Sequence, residues 1–368
     1  MNCTAHRVSG GRSLCFRQKP SYNWQPRGRL VIRGPVLHTV RRRTALRALI
    51  TGIGGFAGSH LTRYLLAHTD LDIWGLDLAE GRAAPFASRI TLRVGNNLMN
   101  LPSLKCLFAE AKPDYVFHLA AQAFVPASWK DPWRTLENNI RGQLNVLLAA
   151  VAIGTRPRVL VVGSVDEYGI IAPEELPVDE DNPLRPNSPY AVSKVAQDML
   201  GYQYYASHGL PSVRVRPCNH IGPGQSPAFV ASAFAKQVAE AEAGLRQPII
   251  RVGNLEARRD FSDVRDIVRG YYLAVTEGEP GQVYVLGSER SYAIRDLLDG
   301  FIVLSKVPLT IELDPDRLRP SDVHEIIANC TRFRSRTGWR TEISLEQSLR
   351  DILDHWRETI REASQPLS

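Results

Sequence analysis

Three side chains of this 368-residue chain are of types that together can move a proton at a carbonyl: Ser164, Tyr190 and Lys194. Tyr190 and Lys194 stand four apart in "SPYAVSK", which on a helix places both on one face, within reach of one ligand. A tyrosine becomes an effective donor as its pKa falls from about 10 toward neutrality, a differential stabilisation of about 4 kcal/mol. A lysine ammonium roughly 4 Å away, at an effective dielectric near 20, supplies an energy of that order. Ser164 ends the apolar run "RVLVVGS" and can hold a substrate oxygen against Tyr190. Alone, a Tyr-x-x-x-Lys spacing is common on ordinary surfaces, so its weight depends on what precedes it.

What precedes it is a glycine loop. "LITGIGGFAGSHL" sets Gly52, Gly55 and Gly58 between an apolar run and a helical pattern, with Phe56 at the helix start. Glycines there let the backbone turn tightly against a pyrophosphate, whose charge the helix N-terminus stabilises. Asp77 lies 25 positions after Gly52, at the end of the next apolar run. A carboxylate there accepts from both adenosine ribose hydroxyls and repels a 2′-phosphate. The cofactor expected is therefore NAD(H) or NADP(H), with NAD(H) favoured by Asp77 and Arg82 nearby leaving room for NADP(H). The plainer reading of Asp77 is a turn residue.

These groups need a frame. Apolar runs at Arg47–Thr51, Leu71–Leu76, Tyr115–Leu119, Val159–Gly163 and Ser212–Arg216 read as strands. Helical patterns lie between them at Phe56–Ala67, Leu101–Ala111, Pro132–Ala152 and Pro189–Ser207, with a last helix near Leu345–Thr359. Such alternation predicts an α/β fold, a doubly wound parallel (Rossmann) sheet with a smaller C-terminal α/β substrate domain. The boundaries expected are a basic extension over 1–45, a dinucleotide-binding domain over 46–218, a substrate domain over 219–362 with some segments returning to the sheet, and a tail over 363–368.

Composition narrows the partners. The net charge of +7 suggests a polyanion, but ten of the 45 Lys and Arg, and none of the 38 Asp and Glu, fall in residues 1–46. The remainder carries 35 against 38, a net of −3, so no nucleic-acid partner is expected; the basic stretch has few aromatics to stack on bases beyond Tyr22 and Trp24. No apolar run is long enough to span a bilayer. The five cysteines form no CxxC pair, which argues for reduced thiols in the cytoplasm and no metal site. Residues 1–45 read as an unstructured leader rather than as an organellar transit peptide, since they lack an amphipathic period.

Together these segments resemble the extended short-chain dehydrogenase/reductase family, over about Leu46 to Arg357. "HLAAQ" resembles the family's turn beside the cofactor, which implies contacts from Leu119, Ala120 and Ala121, and Asn139 matches its structural asparagine. Asn97 stands where the family usually has an aspartate near the adenine. "GSVDEYG", "NHIGPGQSPAFV", "VGNLEARRDFSDVRD" and "LRPSDV" are similar to the members that reduce a GDP-linked 4-keto-6-deoxy sugar, GDP-4-keto-6-deoxy-D-mannose, to GDP-D-rhamnose. That resemblance implies Asn219 and His220 beside the sugar, Lys236, Arg259 and Arg319 on the diphosphate, and Asp322 on the nucleotide ribose. It also implies a homodimer paired through two helices of the cofactor domain.

Sugar-nucleotide 4,6-dehydratases share the scaffold and add an acid/base, typically a Glu two residues after the strand-end Ser or Thr, in some with an Asp just before it. Here Val165 and Asp166 fill those positions: valine moves no proton, and Asp166, counted with the catalytic group, is one methylene short. Reduction is thus the expected reaction; a dehydratase or an epimerase is the alternative. A dinucleotide sensor without catalysis is a further reading, disfavoured because Ser164, Tyr190 and Lys194 are all present.

Overall fold

The computed structural model describes residues 45–95, 97–317 and 325–364. Arg319 and Asp322 lie outside the described residues, as does the basic stretch up to Thr44. The strands are β1 (Arg47–Thr51), β2 (Asp72–Asp77), β3 (Thr91–Val94), β4 (Tyr115–His118), β5 (Arg158–Val162), β6 (Ser212–Pro217), β7 (Asn219–Ile221), β8 (Ile249–Val252), β9 (Arg258–Asp263), β10 (Val283–Leu286), β11 (Ser291–Ala293) and β12 (Thr310–Leu313). The helices are α1 (Phe56–His68), α2 (Leu101–Ala111), α3 (Val125–Lys130), α4 (Pro132–Leu136), α5 (Gly142–Ala152), α6 (Pro189–His208), α7 (Val230–Glu242), α8 (Val264–Glu277), α9 (Ile294–Leu304), α10 (Thr331–Thr337) and α11 (Leu345–Ala363).

Seven strands form a parallel sheet in the order β10-β6-β5-β4-β1-β2-β3. Successive side chains leave opposite faces, so the strands' continuous apolar runs supply two cores at once. Ala48, Ile50, Phe117 and Leu160 pack with Leu61 and Leu65 of α1 and Ile267 of α8. Leu49, Val116, Val159 and Val161 pack on the other face with Phe108 of α2 and Val146 of α5. Each of the larger side chains here, fully withdrawn from water, contributes about 1.5–3 kcal/mol. This is the doubly wound fold expected of the sequence.

The differences are local. The helical pattern over Pro132–Ala152 is interrupted by a π-helical turn at Glu137–Arg141, which carries Asn139 into the interior. The short strand β3 and the seventh strand β10 had no sequence signal strong enough to separate them from loops; β10 pairs with β6 some seventy residues earlier, Val283 opposite Arg214. Beyond β6, helices α7, α9 and α11 enclose a third core around Phe234, Leu298, Phe301 and Leu353. The three-stranded sheet β11-β9-β7 and the pair β12-β8 complete this region.

Candidate active site

Sheet order reverses between β1 and β4, so the loops after these strands diverge and open a crevice beyond their C-terminal ends. Gly52 begins the first loop at φ +71°, and a Cβ there would stand 2.7 Å from the Ala120 nitrogen. At Gly58 a Cβ would come within 2.2 Å of the Gly52 carbonyl oxygen. The two loops therefore meet backbone to backbone, and no acidic residue stands in the first turn of α1 to compete with a phosphate for its N-terminus. Asp77 folds back on the same loop: one oxygen accepts from Gly54 N–H at 2.9 Å and the other from Leu78 N–H at 2.7 Å. The residues present fit a dinucleotide cofactor, whose pyrophosphate the glycine loop would hold.

A cleft of about 1070 Å³ runs from this loop across the strand ends. Gly52, Gly55, Phe56, Gly58, Leu119 and Ala121 line one part of it, Ser164, Asp166, Tyr190 and Lys194 the middle, and Asn219, His220 and Arg259 the far part. Helix α6 sets the central pair. Ser188 caps it by accepting from Ala191 N–H at 3.1 Å, Pro189 opens it, and Gly209 ends it in the left-handed region. Ser164 caps a short turn, Val165–Tyr168, directly after β5.

Ser164 and Tyr190 line the middle of the cleft together, the serine hydroxyl near enough to favour the ionised tyrosine. Lys194, almost wholly buried, donates to the Val162 carbonyl at 2.8 Å and lies 5.8 Å from the centre of the Tyr190 ring. The chain alone does not produce the lowered tyrosine pKa that the sequence suggested. Burial pushes the Tyr190 hydroxyl up, the Asp166 charge adds to this, and the nearby Ser164 hydroxyl only partly opposes it. Tyr190 thus stays protonated at neutral pH, the state a proton donor requires. Burial lowers Lys194 to about 8, against the charges of Glu167 and Asp166. His118, at the end of β4, is held neutral by burial, near 3, with the Lys194 charge assisting.

At the far part, β7 pairs with β9, which places His220 opposite Ser262 and brings Asn219 and Arg259 to the same cleft. The His220 ring lies parallel to Phe56 of the glycine loop, centroids 6.1 Å apart, so the two halves of the cleft touch there. Burial lowers the His220 pKa and favours the neutral ring. Lys236 is not brought to this group: it pairs with Glu240 at 3.6 Å and sits over the Trp356 ring. Sequence reasoning missed Lys130 and Arg317, which also line the cleft, and the edge-to-face pair Phe124–Phe229 in its lining. Phe229 stood within a motif already noted; Lys130 and Arg317 carried no local signal. Among the described residues no group of three His, Cys, Asp or Glu could hold a metal ion, and no helix is long and apolar enough to cross a membrane.

Residues 49–352 match the family model described as GDP-mannose 4,6 dehydratase. The chain belongs to that family, within the extended short-chain dehydrogenases/reductases. It is 38% identical over 317 residues to the GDP-6-deoxy-D-mannose reductase of Pseudomonas aeruginosa, a match covering 86% of this chain and 99% of the relative. The structure of RMD from Pseudomonas aeruginosa complexed with NADPH superposes with a TM-score of 0.76 at 36% identity, covering 86% of this chain and all of that one. The Thermus thermophilus UDP-glucose 4-epimerase complexed with NAD superposes equally well, TM-score 0.76 at 29% identity, covering 85% and 99%. As a member of this family the chain is an oxidoreductase that works with a nicotinamide dinucleotide.

Proposed function

We propose that the chain reduces the 4-keto group of GDP-4-keto-6-deoxy-D-mannose to the alcohol, giving GDP-D-rhamnose. The observation that carries this is the likeness to a GDP-6-deoxy-D-mannose reductase along that relative's whole length, joined to Ser164, Tyr190 and Lys194 gathered in one cleft. The cofactor, when bound, supplies the hydride to the carbonyl carbon. Ser164 and Tyr190 hold the carbonyl oxygen, and Tyr190 gives it a proton that solvent replaces. Lys194 keeps a positive charge beside Tyr190. Arg259 suits the diphosphate, its planar fork matching phosphate oxygens, and Asn219 and His220 border the sugar; Arg319 and Asp322 are proposed for diphosphate and ribose. Anchoring the sugar by its remote diphosphate fixes the carbonyl, a positioning worth about 7 kcal/mol or more.

A 4,6-dehydratase is the second reading, since the matching family model carries that description. Val165 is buried and apolar, and among the described residues that line the cleft the acids are Asp166 and Asp316, with no Glu to serve an elimination. Incubation with the keto sugar and NADH or NADPH, followed by product identification, separates the two. GDP-D-rhamnose supports the reductase; conversion of GDP-mannose to the keto sugar without added reductant establishes the dehydratase.

We further propose a cytoplasmic homodimer. Val192, Met199 and Tyr202 are exposed on α6 opposite its buried Tyr190–Lys194 face, with Trp133 of α4 also exposed. A second copy would cover this stripe as paired helices. Light scattering of wild type and Met199→Glu tests it, a monomeric wild type refuting the dimer.

A further inference from the structure

Ser164 and Glu167 cap their turn reciprocally. The Ser164 hydroxyl accepts from Asp166 N–H at 3.1 Å, and Glu167 Oε1 accepts from Ser164 N–H at 2.9 Å. Such capping carboxylates usually sit in water, but Glu167 is fully buried. Its Oε2 meets Arg216 Nε at 3.1 Å, and the same N–H reaches Asp198 Oδ2 at 2.8 Å. Arg216 also donates to the Tyr168 hydroxyl and the Glu180 carbonyl, and Arg214 pairs with the other Asp198 oxygen. Asp198 follows Lys194 by one helical turn and Tyr190 by two, on the same buried face of α6. Room for this carboxylate depends on Gly163, where a Cβ would stand 2.2 Å from Glu167 Oε1. Burial raises the Glu167 carboxyl to about 8, Asp198 adding to this and Arg216 opposing it. The oxygen facing Ser164 is an acceptor in either protonation state.

We propose that Glu167 is a positioning residue, which holds Ser164 in register with Tyr190 and Lys194 through the chain Ser164 N–H, Glu167, Arg216, Asp198. Ser164 stands where a strand gives way to a loop, two residues beyond the Val162 carbonyl that Lys194 of α6 holds at 2.8 Å. A displacement of about 1 Å at such a group costs on the order of a hundredfold in rate. The inference rests on reading the site as a reductase.

Its test is a double-mutant cycle on steady-state reduction of the keto sugar. Glu167→Leu should lower kcat at least tenfold with KM within about threefold of wild type. Glu167→Gln, whose amide oxygen still accepts from Ser164 N–H, should recover most of that loss. On a Ser164→Ala background, Glu167→Leu should cost less than threefold more. Should Glu167→Leu fail to fold, Gly163→Ala displaces the carboxylate instead and should show the same dependence on Ser164. Losses that multiply undiminished on Ser164→Ala, or a Glu167→Leu enzyme at wild-type kcat, overturn the proposal. Wild-type protein that reduces no 4-keto nucleotide sugar overturns instead the reading on which it rests.

Discussion

Asn139 donates to the Ser193 hydroxyl at 2.9 Å, a bond wholly out of solvent that joins the π-helical turn to the helix of Tyr190 and Lys194. The same side chain accepts from Gln122 N–H at 2.8 Å and donates to Gln122 O at 3.1 Å, so one amide ties α6 to the loop after β4. Truncation deprives the half-buried Gln122 backbone and the buried Ser193 hydroxyl of this partner. Asn139→Ala should destabilise the fold by about 2–4 kcal/mol, read as a lower midpoint in urea at unchanged slope; a shift under 0.5 kcal/mol contradicts this role.

Tyr190→Phe removes the proton donor and keeps the ring that packs at the cleft. Turnover should fall by about 10²–10⁴, while the dinucleotide binds within a few-fold of wild type by fluorescence titration. An enzyme retaining near-full kcat would leave Tyr190 without its assigned part.

Lys194 carries its charge below about 8 and loses it above. If that charge supports proton donation, kcat/KM for reduction should hold level from pH 6 to 7.5, then fall with rising pH through about 8. Lys194→Arg, which stays charged, should shift that alkaline limb upward by more than one pH unit. An unmoved limb would assign it to another group.

Asp77→Asn keeps an acceptor for Gly54 N–H and removes the negative charge from the end of β2. If Asp77 repels a 2′-phosphate, the ratio of kcat/KM for NADPH over NADH should rise about tenfold, roughly 1.4 kcal/mol. No change in that ratio would leave Asp77 as a support of the glycine loop alone.

Arg259→Ala should raise KM for the GDP-linked sugar by tenfold or more, the worth of about 1.5–3 kcal/mol for a charge-assisted bond, with kcat altered less than threefold. Equal loss in kcat would mean that Arg259 also orients the carbonyl.

Much of this was legible in the chain because its causes are local. The glycine loop, the apolar strand runs and the Tyr190–Lys194 spacing each express backbone or helix geometry over fewer than ten residues, and the structure places all three at one cleft. Tertiary structure decided the rest, because the deciding partners are remote in sequence. Glu167, Asp198 and Arg216 come from a turn, a helix and a strand, and only the parallel register of β5 with β6 brings them into one buried cluster. Asn139 turns inward through a π-helical step that a 3.6-residue period does not announce. Lys236, marked by likeness, is drawn to Glu240 and Trp356, while Lys130 and Arg317 reach the cleft unmarked. Surface charges are placed by the path of the folded chain, and residue type and spacing do not encode that path.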